Sequence, residues 1–215
     1  MKAILFDLDG TLLDTIEGIS FAMNKAFSQK GLDTYSQDEY KIFVGSGLDK
    51  LIERAFKGSL TPELKEDFLR GFKKNYQQCW LEMSHIYPGI NMLLDELKAL
   101  DIKMAILSNK THDFTLEMVA HFFPKKYFEI ILGARPEVPK KPDITAVLEI
   151  TKQMSLSANN FCYLGDTDVD MQTANKAGMY ALGATWGFRS QEELLAHGAQ
   201  QLIAYPTEIL PLFRK

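Results

Sequence analysis

The sequence has no excess of positive charge: its 24 Lys and Arg residues are outnumbered by 28 Asp and Glu, and the net charge is −4 at pH 7. A chain with this net charge has no overall positive electrostatic potential that would attract nucleic acid or an anionic membrane. Any anion-binding site must therefore be formed by local residues. Long apolar runs are also missing, since none approaches the roughly 20 residues of a membrane span. The first apolar run stops at Asp7, which does not match a signal peptide. We therefore expect no nucleic-acid partner and no membrane partner.

Cysteine is scarce as well. Cys79 and Cys162 lie far apart and lack the spacing of a metal site. Cys162 lies inside an apolar run, which is typical of a small buried thiol. These features predict a reduced, cytoplasmic, soluble protein. The 215 residues, 46% of them hydrophobic, are enough for one sizeable core or for a core with a small second lobe.

Short apolar runs predict the strands of a parallel sheet. They are nearly continuous rather than alternating, as expected for strands that helices cover on both faces. The predicted strands are 2–6, 102–107, 127–132, 161–164 and 179–184, and helical patterns cover 89–100, 112–122, 143–154 and 168–177. This alternation predicts an α/β fold with a doubly wound parallel sheet.

Residues 15–85 break the alternation. They contain no convincing strand, and they show helical patterns over 15–29, 37–43, 47–57 and 62–83. About 70 residues are far more than a crossover between strands needs, so we interpret the segment as an inserted α-helical cap. Asp14 and Glu17 are predicted to cap its first helix from the N-cap and N3 positions.

The insertion predicts a division of the chain into two units. The catalytic core would consist of 1–14 and 86–215, and the cap of 15–85. Hinges between them are expected near 12–15 and 85–89.

Polar residues cluster where the predicted strands end. Asp7 and Asp9 follow the first strand, 108–110 (Ser-Asn-Lys) follow the second, and an acidic segment, 165–170, follows 161–164. Two lysines, at 140 and 141, lie between the last two segments. Because ligands of open parallel sheets bind at the carboxyl ends of the strands, we expect these groups to meet at one edge. Two acids after a buried strand repel each other unless a cation or proton intervenes, which indicates a metal and an anionic reaction.

Phosphoryl transfer requires such a set of groups. A dianionic substrate repels an anionic nucleophile, and Mg²⁺ held by carboxylates screens that repulsion. A lysine with hydroxyl and amide donors can hold the phosphoryl oxygens, while one carboxylate attacks phosphorus and another exchanges protons. Each part also has a structural interpretation: Asp168 and Asp170 suit a helix start, and 108–109 suit a helix entry. Asp7 and Asp9 are the hardest to explain without a cation.

These motifs resemble those of the haloacid dehalogenase-like (HAD) hydrolase superfamily, in its phosphoglycolate phosphatase-like branch with an inserted helical cap. The resemblance covers essentially the full length and implies a Rossmann-like core. The matching segments are 7–12 (Asp-Leu-Asp-Gly-Thr-Leu), 108–110, 141–143 (Lys-Pro-Asp), and 165–166 (Gly-Asp) with Asp170. The first segment is very specific. Ile144 stands where the family often has proline, so Lys140 remains an alternative to Lys141 as the phosphate-binding lysine.

The resemblance implies a role for each matching residue. Asp7 would be the nucleophile and a Mg²⁺ ligand, and Asp9 the general acid/base, with its backbone carbonyl on the metal. Asp166 would be a further metal ligand, and Asp170 would act on the metal through water or from behind its ligands. The residues implied to hold the phosphate or to order its loop are Thr11, Ser108, Asn109 and Lys141. The implied enzyme is a Mg²⁺-dependent phosphatase that hydrolyses a small phosphomonoester through an aspartyl-phosphate.

Other activities within the family are associated with different residues at the position of Asp9, after the first motif and in the cap loop. Dehalogenases of the family lack an acid at the position of Asp9, so dehalogenation is disfavoured. Sugar-phosphate mutases typically carry a histidine after the first motif and an arginine in the cap loop, and 14–19 and 45–48 contain neither. A pyrophosphatase or a nucleotide phosphatase remains an alternative. A phospho-accepting signalling or binding module is the alternative from another class, which the helical insertion and Asp9 disfavour.

The cap is expected to select the substrate. A closed cap excludes water and admits only a small phosphorylated metabolite. Gly45 opens a loop before a helix that carries Lys50 and Arg54, and backbone N–H groups at a helix start suit an anion. Gly45 and Lys50 are therefore predicted to bind a substrate carboxylate, as in phosphoglycolate. Solvated surface positions are the alternative for the two cations. Both a monomer and a homodimer are compatible with the sequence.

Overall fold

The centre of the molecule is a parallel sheet. A computed structural model describes residues 1–57, 60–124 and 127–214. The strands of this described chain are β1 (Ala3–Phe6), β2 (Leu13–Asp14), β3 (His85–Ile86), β4 (Lys103–Thr111), β5 (Ile130–Ala134), β6 (Phe161–Gly165), β7 (Tyr180–Ala184) and β8 (Gln201–Ile203). Six of them form one sheet in the order β5-β4-β1-β6-β7-β8, and every neighbouring pair is parallel.

β1 lies in the middle of this sheet and is fully buried. Ile4 and Phe6 belong to one apolar core, and Ala3 and Leu5 belong to the core on the opposite face. Because helices cover both faces, the strand needs apolar residues at every position. The predicted α/β fold with a doubly wound parallel sheet is confirmed.

Helices flank the sheet and form the cap. In the described chain they are α1 (Ile16–Ser28), α2 (Gln37–Phe43), α3 (Leu48–Ala55), α4 (Pro62–Cys79), α5 (Ile90–Ala99), α6 (His112–Phe122), α7 (Thr145–Gln153), α8 (Asp168–Ala177) and α9 (Gln191–Ala196), with 3-10 turns at Ala158–Asn160 and Pro206–Leu212. α1 to α4 lie between β2 and β3 and constitute the predicted helical cap. Aromatic side chains fill its interior; the rings of Phe27 and Phe68, for example, lie 4.8 Å apart between centroids.

A two-stranded antiparallel ribbon joins the cap to the core. β2 pairs with β3, so Leu13 lies opposite Ile86 and Asp14 opposite His85. The two strands of the ribbon lie within the segments 12–15 and 85–89, which the sequence predicts as hinges. The division into 1–14, 15–85 and 86–215 stays a prediction.

The prediction that Asp14 caps the first cap helix is wrong. Thr15 occupies the N-cap position of α1, and its side chain makes no capping hydrogen bond. Asp14 belongs to β2 instead, and its carboxylate accepts a hydrogen bond from the backbone N–H of Ile16 at 3.3 Å. Pairing with β3 therefore takes Asp14 out of the cap position that its spacing from Glu17 suggested.

Helix α9 and strand β8 were not predicted from the sequence, and strand β4 is longer than expected. α9 and β8 have six and three residues, too few for a clear periodic pattern. β4 continues to Thr111, which pairs with Ala134 after a register shift. Cys79 and Cys162 are both free and buried. No helix in the described part of the chain is long and apolar enough to cross a membrane.

Candidate active site

The polar residues that follow the predicted strands lie together at the carboxyl edge of the sheet. Asp7 comes directly after β1, and its backbone N–H donates to the carbonyl of Leu164 at 3.0 Å, which continues the pairing with β6. The segment 108–110 ends β4, and 165–170 leads from β6 into α8. Since β4, β1 and β6 are neighbours in the sheet, their ends bring these side chains to one place.

Three carboxyl groups form a buried cluster at this edge. One oxygen of each of Asp7, Asp166 and Asp170 lies within 4.8 Å of the others, and all three residues are buried. The carboxylate of Asp9 lies apart from this cluster, bound to other partners. Three of the four residues predicted as metal ligands are thus brought together by their side chains.

Lys141 supplies the positive charge inside the cluster. Its Nζ donates to Oδ1 of Asp7 at 2.9 Å and to Oδ1 of Asp170 at 2.7 Å. Nζ also lies 2.9 Å from the Tyr163 hydroxyl and from the carbonyl of Leu107, so its three protons are shared among four oxygens. Lys140, the alternative by sequence, points away and donates to Oδ2 of Asp49 on α3 at 2.6 Å. Of the two lysines, Lys141 is the one in contact with Asp7.

Burial dominates the acid chemistry of the cluster. Burial, followed by the neighbouring Asp170, raises the pKa of Asp7 to about 7, although Lys141 acts in the opposite direction. Burial and then Asp170 and Asp7 raise the pKa of Asp166 well above its usual range. Burial alone would lower the pKa of Lys141, but Asp170 and Asp7 hold it well above its usual value. One ammonium therefore faces three carboxyl groups, and ionising all of them requires further positive charge.

Thr11 is engaged with the acidic cluster rather than with the cavity. Its hydroxyl donates to Oδ1 of Asp166 at 2.8 Å, while the N–H of Phe188 donates to Oδ2 at 2.8 Å. Gly10 makes this approach possible: its φ is +85°, and a Cβ there would lie 2.2 Å from Oδ2 of Asp166. The predicted roles of Thr11, in phosphate binding or in ordering the loop beside Asp7, stay predictions.

The Asp170 carboxylate both caps helix α8 and contacts Lys141 in the acidic cluster. Its Oδ2 accepts hydrogen bonds from the N–H and the hydroxyl of Thr167, which closes a capping box at the start of α8. Its Oδ1 accepts from Lys141 and from the Tyr163 hydroxyl. The cap bonds hold the carboxylate in place for its contact with Lys141.

Asn109 and Ser108 lie beside the cluster and make local hydrogen bonds. Asn109 Nδ2 donates to the carbonyl of Gly45 in the cap at 2.9 Å and to that of Lys141 at 3.1 Å, and its Oδ1 accepts from the N–H of Lys141 at 2.9 Å. Ser108 Oγ accepts from the N–H of Lys110 at 3.2 Å. Asn109 therefore links the cap loop to the lysine loop.

The carboxylate of Asp9 accepts side-chain hydrogen bonds from Thr15 and Lys110. Thr15 Oγ1 donates to its Oδ1 at 2.8 Å, and Nζ of Lys110 lies 3.1 and 3.3 Å from its two oxygens. Lys110 also donates to the hydroxyl of Tyr76, on cap helix α4, at 2.8 Å. Sequence reasoning gave Lys110 no role, although it ends the same strand as Ser108, and no sequence signal pointed to Tyr76.

Arg189 is a further residue that sequence reasoning missed. Its guanidinium donates to the carbonyls of Lys41, Ile42 and Val44 at the end of α2, the last at 2.7 Å, and pairs with Glu193 at 3.1 Å. Arg189 comes five residues after the end of β7, and no sequence pattern singled it out. The contacts attach the cap to the core.

A cavity of about 60 Å³ lies between cap and core beside the cluster. Its core side consists of Asp7, Asp9, Ser108, Asn109 and Lys110, and its cap side of Ile19, Val44, Gly45, Gly47, Leu48, Leu51 and Phe72. Gly45 lines the cavity, and its binding of a substrate carboxylate stays a prediction. Lys50 lies outside it, with 60% of its side chain exposed and Nζ 2.7 Å from Glu53. Arg54 donates to the carbonyl of Phe43 and the hydroxyl of Ser46.

The acidic cluster fits a hard divalent cation. Mg²⁺ prefers oxygen ligands and is commonly held by one or two carboxylates together with water and phosphate. Asp7, Asp166 and Asp170 offer such oxygens, and Lys141 alone leaves their charge incompletely balanced.

Comparisons with known proteins agree with this geometry. The family model for haloacid dehalogenase-like hydrolases matches residues 4–184. Phosphoglycolate phosphatases from Aquifex aeolicus and Vibrio cholerae are 31% and 32% identical, over 87% and 90% of this chain and 86% and 88% of theirs. The solved structure of a haloacid dehalogenase-like family hydrolase from Streptococcus pneumoniae is 26% identical and superposes with a TM-score of 0.89, covering 100% of this chain and 99% of that one. The chain belongs to the haloacid dehalogenase-like hydrolase family, in its phosphoglycolate phosphatase-like branch.

Proposed function

We propose that this hydrolase is a Mg²⁺-dependent phosphatase that cleaves a small phosphomonoester through an aspartyl-phosphate at Asp7. The observation that carries the proposal is the buried cluster of Asp7, Asp166 and Asp170, with the ammonium of Lys141 bound to Asp7 and Asp170. Asp7 is the member of the cluster that lines the cavity between cap and core. The phosphoglycolate phosphatase relatives support the same reaction class.

Asp7 is the proposed nucleophile. It lines the cavity, whereas Asp166 and Asp170 do not line it. One of its carboxylate oxygens attacks phosphorus as the bond to the leaving oxygen breaks, which forms an acyl phosphate. Water then attacks the phosphorus of this acyl phosphate, releases inorganic phosphate and restores the carboxylate. Lys141, whose Nζ lies 2.9 Å from Oδ1 of Asp7, is the proposed cationic partner of the phosphoryl oxygens as charge redistributes.

Asp9 is the proposed general acid and base. It lines the same cavity, two residues beyond the nucleophile. In the first step it gives a proton to the departing alkoxide, and in the second it takes a proton from the attacking water. Ser108 and Asn109 lie on the cavity wall, where the resemblance implies that they contact the phosphate.

The residues that would hold Mg²⁺ are Asp7, Asp166 and Asp170, with the backbone carbonyl of Asp9 as proposed from the family resemblance. The chemistry that bound Mg²⁺ supplies is neutralisation of the phosphate charge, which lets an anionic carboxylate approach. Thr11 and Phe188 hold the Asp166 carboxylate in place by hydrogen bonds to its two oxygens.

The reaction is tested by hydrolysis of p-nitrophenyl phosphate with Mg²⁺ and with EDTA, using wild type and Asp7→Asn. We expect turnover that requires Mg²⁺ and is abolished in Asp7→Asn, while the circular dichroism spectrum and the urea midpoint show a folded variant. Turnover in EDTA, or substantial turnover by the folded variant, contradicts the proposal. A phospho-accepting module would take up phosphate on Asp7 without multiple turnovers.

The substrate is proposed to be a small phosphorylated metabolite. Phosphoglycolate is the first ester to test, because the curated relatives carry that name. The cap side of the cavity, however, presents the apolar side chains of Ile19, Val44, Leu48, Leu51 and Phe72 to the leaving group. Burying a carboxylate against such a wall is costly. An ester with a small uncharged leaving group is therefore the second candidate.

The two candidates can be compared with esters of nearly equal shape. Isobutyl phosphate replaces the carboxylate oxygens of phosphoglycolate with two methyl groups. A higher kcat/KM for isobutyl phosphate supports the uncharged leaving group, and a higher value for phosphoglycolate supports the carboxylate. Leu48→Arg adds a cation to the cap side and is expected to shift the ratio toward phosphoglycolate. Leu81→Arg, an exposed cap position, is the matched control.

A further inference from the structure

Lys110 connects the proposed acid/base to the cap. Its Nζ lies 3.1 and 3.3 Å from the two oxygens of Asp9 and 2.8 Å from the hydroxyl of Tyr76. The lysine side chain is 8% exposed and that of Asp9 12%, so little solvent competes for these contacts. Burial would lower the pKa of Lys110, but Asp9 and then Tyr76 raise it above its usual value, so the side chain is an ammonium.

Two aromatic side chains contact the ring of Tyr76. Its ring stacks on Phe72 with 5.2 Å between centroids and meets Phe114 of the core edge-on at 5.1 Å. An ammonium only donates hydrogen bonds, so the Tyr76 oxygen accepts from Lys110. The phenol proton can then point to Sδ of Met118, 3.6 Å away. Nζ of Lys110 also lies 4.4 Å from the centroid of the Tyr76 ring, within the range of a cation–π contact.

We propose that Lys110 is a positioning residue that orients the Asp9 carboxylate for proton transfer, and that Tyr76 of the cap holds Lys110 in that place. Two groups fix the carboxylate from different sides: the hydroxyl of Thr15 on Oδ1 and the ammonium of Lys110 on both oxygens. The partner of Lys110 comes from α4, so the acid/base is fully organised only with the cap against the core. This inference rests on the proposed function.

The dependence of the reaction on the leaving group separates this role from others. An alkyl phosphate releases a strongly basic alkoxide that needs a proton from Asp9, whereas p-nitrophenyl phosphate releases a weakly basic phenolate that needs little help. The ratio kcat/KM reports only steps up to release of the leaving group, provided that this release is irreversible. Loss of orientation should therefore reduce kcat/KM more for isobutyl phosphate than for p-nitrophenyl phosphate.

The test measures kcat/KM of both esters for wild type, Lys110→Met, Lys110→Arg and Tyr76→Phe. We expect Lys110→Met to reduce kcat/KM at least tenfold more for isobutyl phosphate than for p-nitrophenyl phosphate. This difference lies within the roughly 10²–10⁴-fold that acid–base catalysis contributes to a rate. Lys110→Arg, which keeps the charge, should recover part of that difference. Tyr76→Phe removes only the hydroxyl and should shift the ratio in the same direction by about threefold, an effect of about 0.7 kcal/mol.

Lys103→Met is the matched control, because Lys103 lies at the opposite end of β4 and pairs with Glu129 on the surface. Equal losses on both esters in Lys110→Met and Tyr76→Phe would mean that Lys110 binds phosphate or supports the fold, and would overturn the inference. If Lys110→Met does not fold, the ratio for Tyr76→Phe decides. Absence of wild-type turnover on p-nitrophenyl phosphate would instead refute the proposed function itself.

Discussion

Replacing Lys141 with methionine removes the positive charge from the acidic cluster while nearly preserving the volume of the side chain. The Lys141 side chain is 2% exposed, and its partners Asp7 and Asp170 are 8% and 0% exposed. Breaking a buried ion pair typically costs about 3–5 kcal/mol, because the remaining charge stays buried without compensation. We expect the free energy of unfolding to fall by about that amount at pH 8 in EDTA.

The loss should depend on pH in a definite direction. Burial and Asp170 already raise the pKa of Asp7 from 3.8 to about 7, and without Lys141 it should rise further. The folded variant then binds more protons than the unfolded chain between about pH 4 and pH 8, so its stability falls as the pH rises through that window. The difference between wild type and variant should therefore be smaller at pH 5 than at pH 8.

Urea denaturation at pH 5 and pH 8 measures both effects. Lys140→Met is the matched control: its ammonium pairs with Asp49, and the two side chains are 34% and 42% exposed. Such an exposed pair contributes about 0.2–1 kcal/mol. Equal, pH-independent losses for Lys140→Met and Lys141→Met would refute the argument that Lys141 compensates buried carboxylates.

Three further results are expected. Thr11→Val removes a hydrogen bond to the buried Asp166 carboxyl group and should lower the free energy of unfolding by about 0.5–1.5 kcal/mol in urea without Mg²⁺; an unchanged free energy of unfolding contradicts the contact. Arg189→Met removes three contacts to the end of α2, so deuterium exchange of α2 amides should accelerate at least tenfold, and unchanged exchange contradicts a role in attaching the cap. A proton on Asp7, whose pKa is about 7 without metal, competes with Mg²⁺, so calorimetric Mg²⁺ affinity should be about tenfold weaker at pH 6 than at pH 8; equal affinities contradict metal binding by Asp7.

The sequence predicted the sheet and the strand-end acids because both depend on local patterns. A continuous apolar run such as 2–6 indicates a strand covered on both faces, and acids directly after it lie at the ligand-binding edge. The contacts that complete the site join distant parts of the chain: Lys110 and Asp9 are 101 residues apart, and Arg189 and Val44 are 145 apart. No local pattern encodes such pairs.

The position of Lys50 on α3 explains why its side chain is exposed. Leu51, Ile52 and Ala55 form the buried side of α3, so the helical period turns Lys50 toward solvent. That period could be read from the sequence, and it favours the surface interpretation of Lys50. The direction of the Thr11 hydroxyl could not be read in this way, because it depends on the positive φ of Gly10 and on the approach of Asp166 from a distant loop.

The phosphoryl group is proposed to pass through the carboxylate of Asp7. To trap this intermediate, the wild-type protein and Mg²⁺ are mixed with a ³²P-labelled phosphomonoester that the protein hydrolyses, the reaction is quenched in acid within milliseconds, and the label is mapped to a peptide. We expect a hydroxylamine-sensitive label on the peptide that contains Asp7, formed and lost at rates compatible with turnover. Steady hydrolysis without label on that peptide would contradict the proposal.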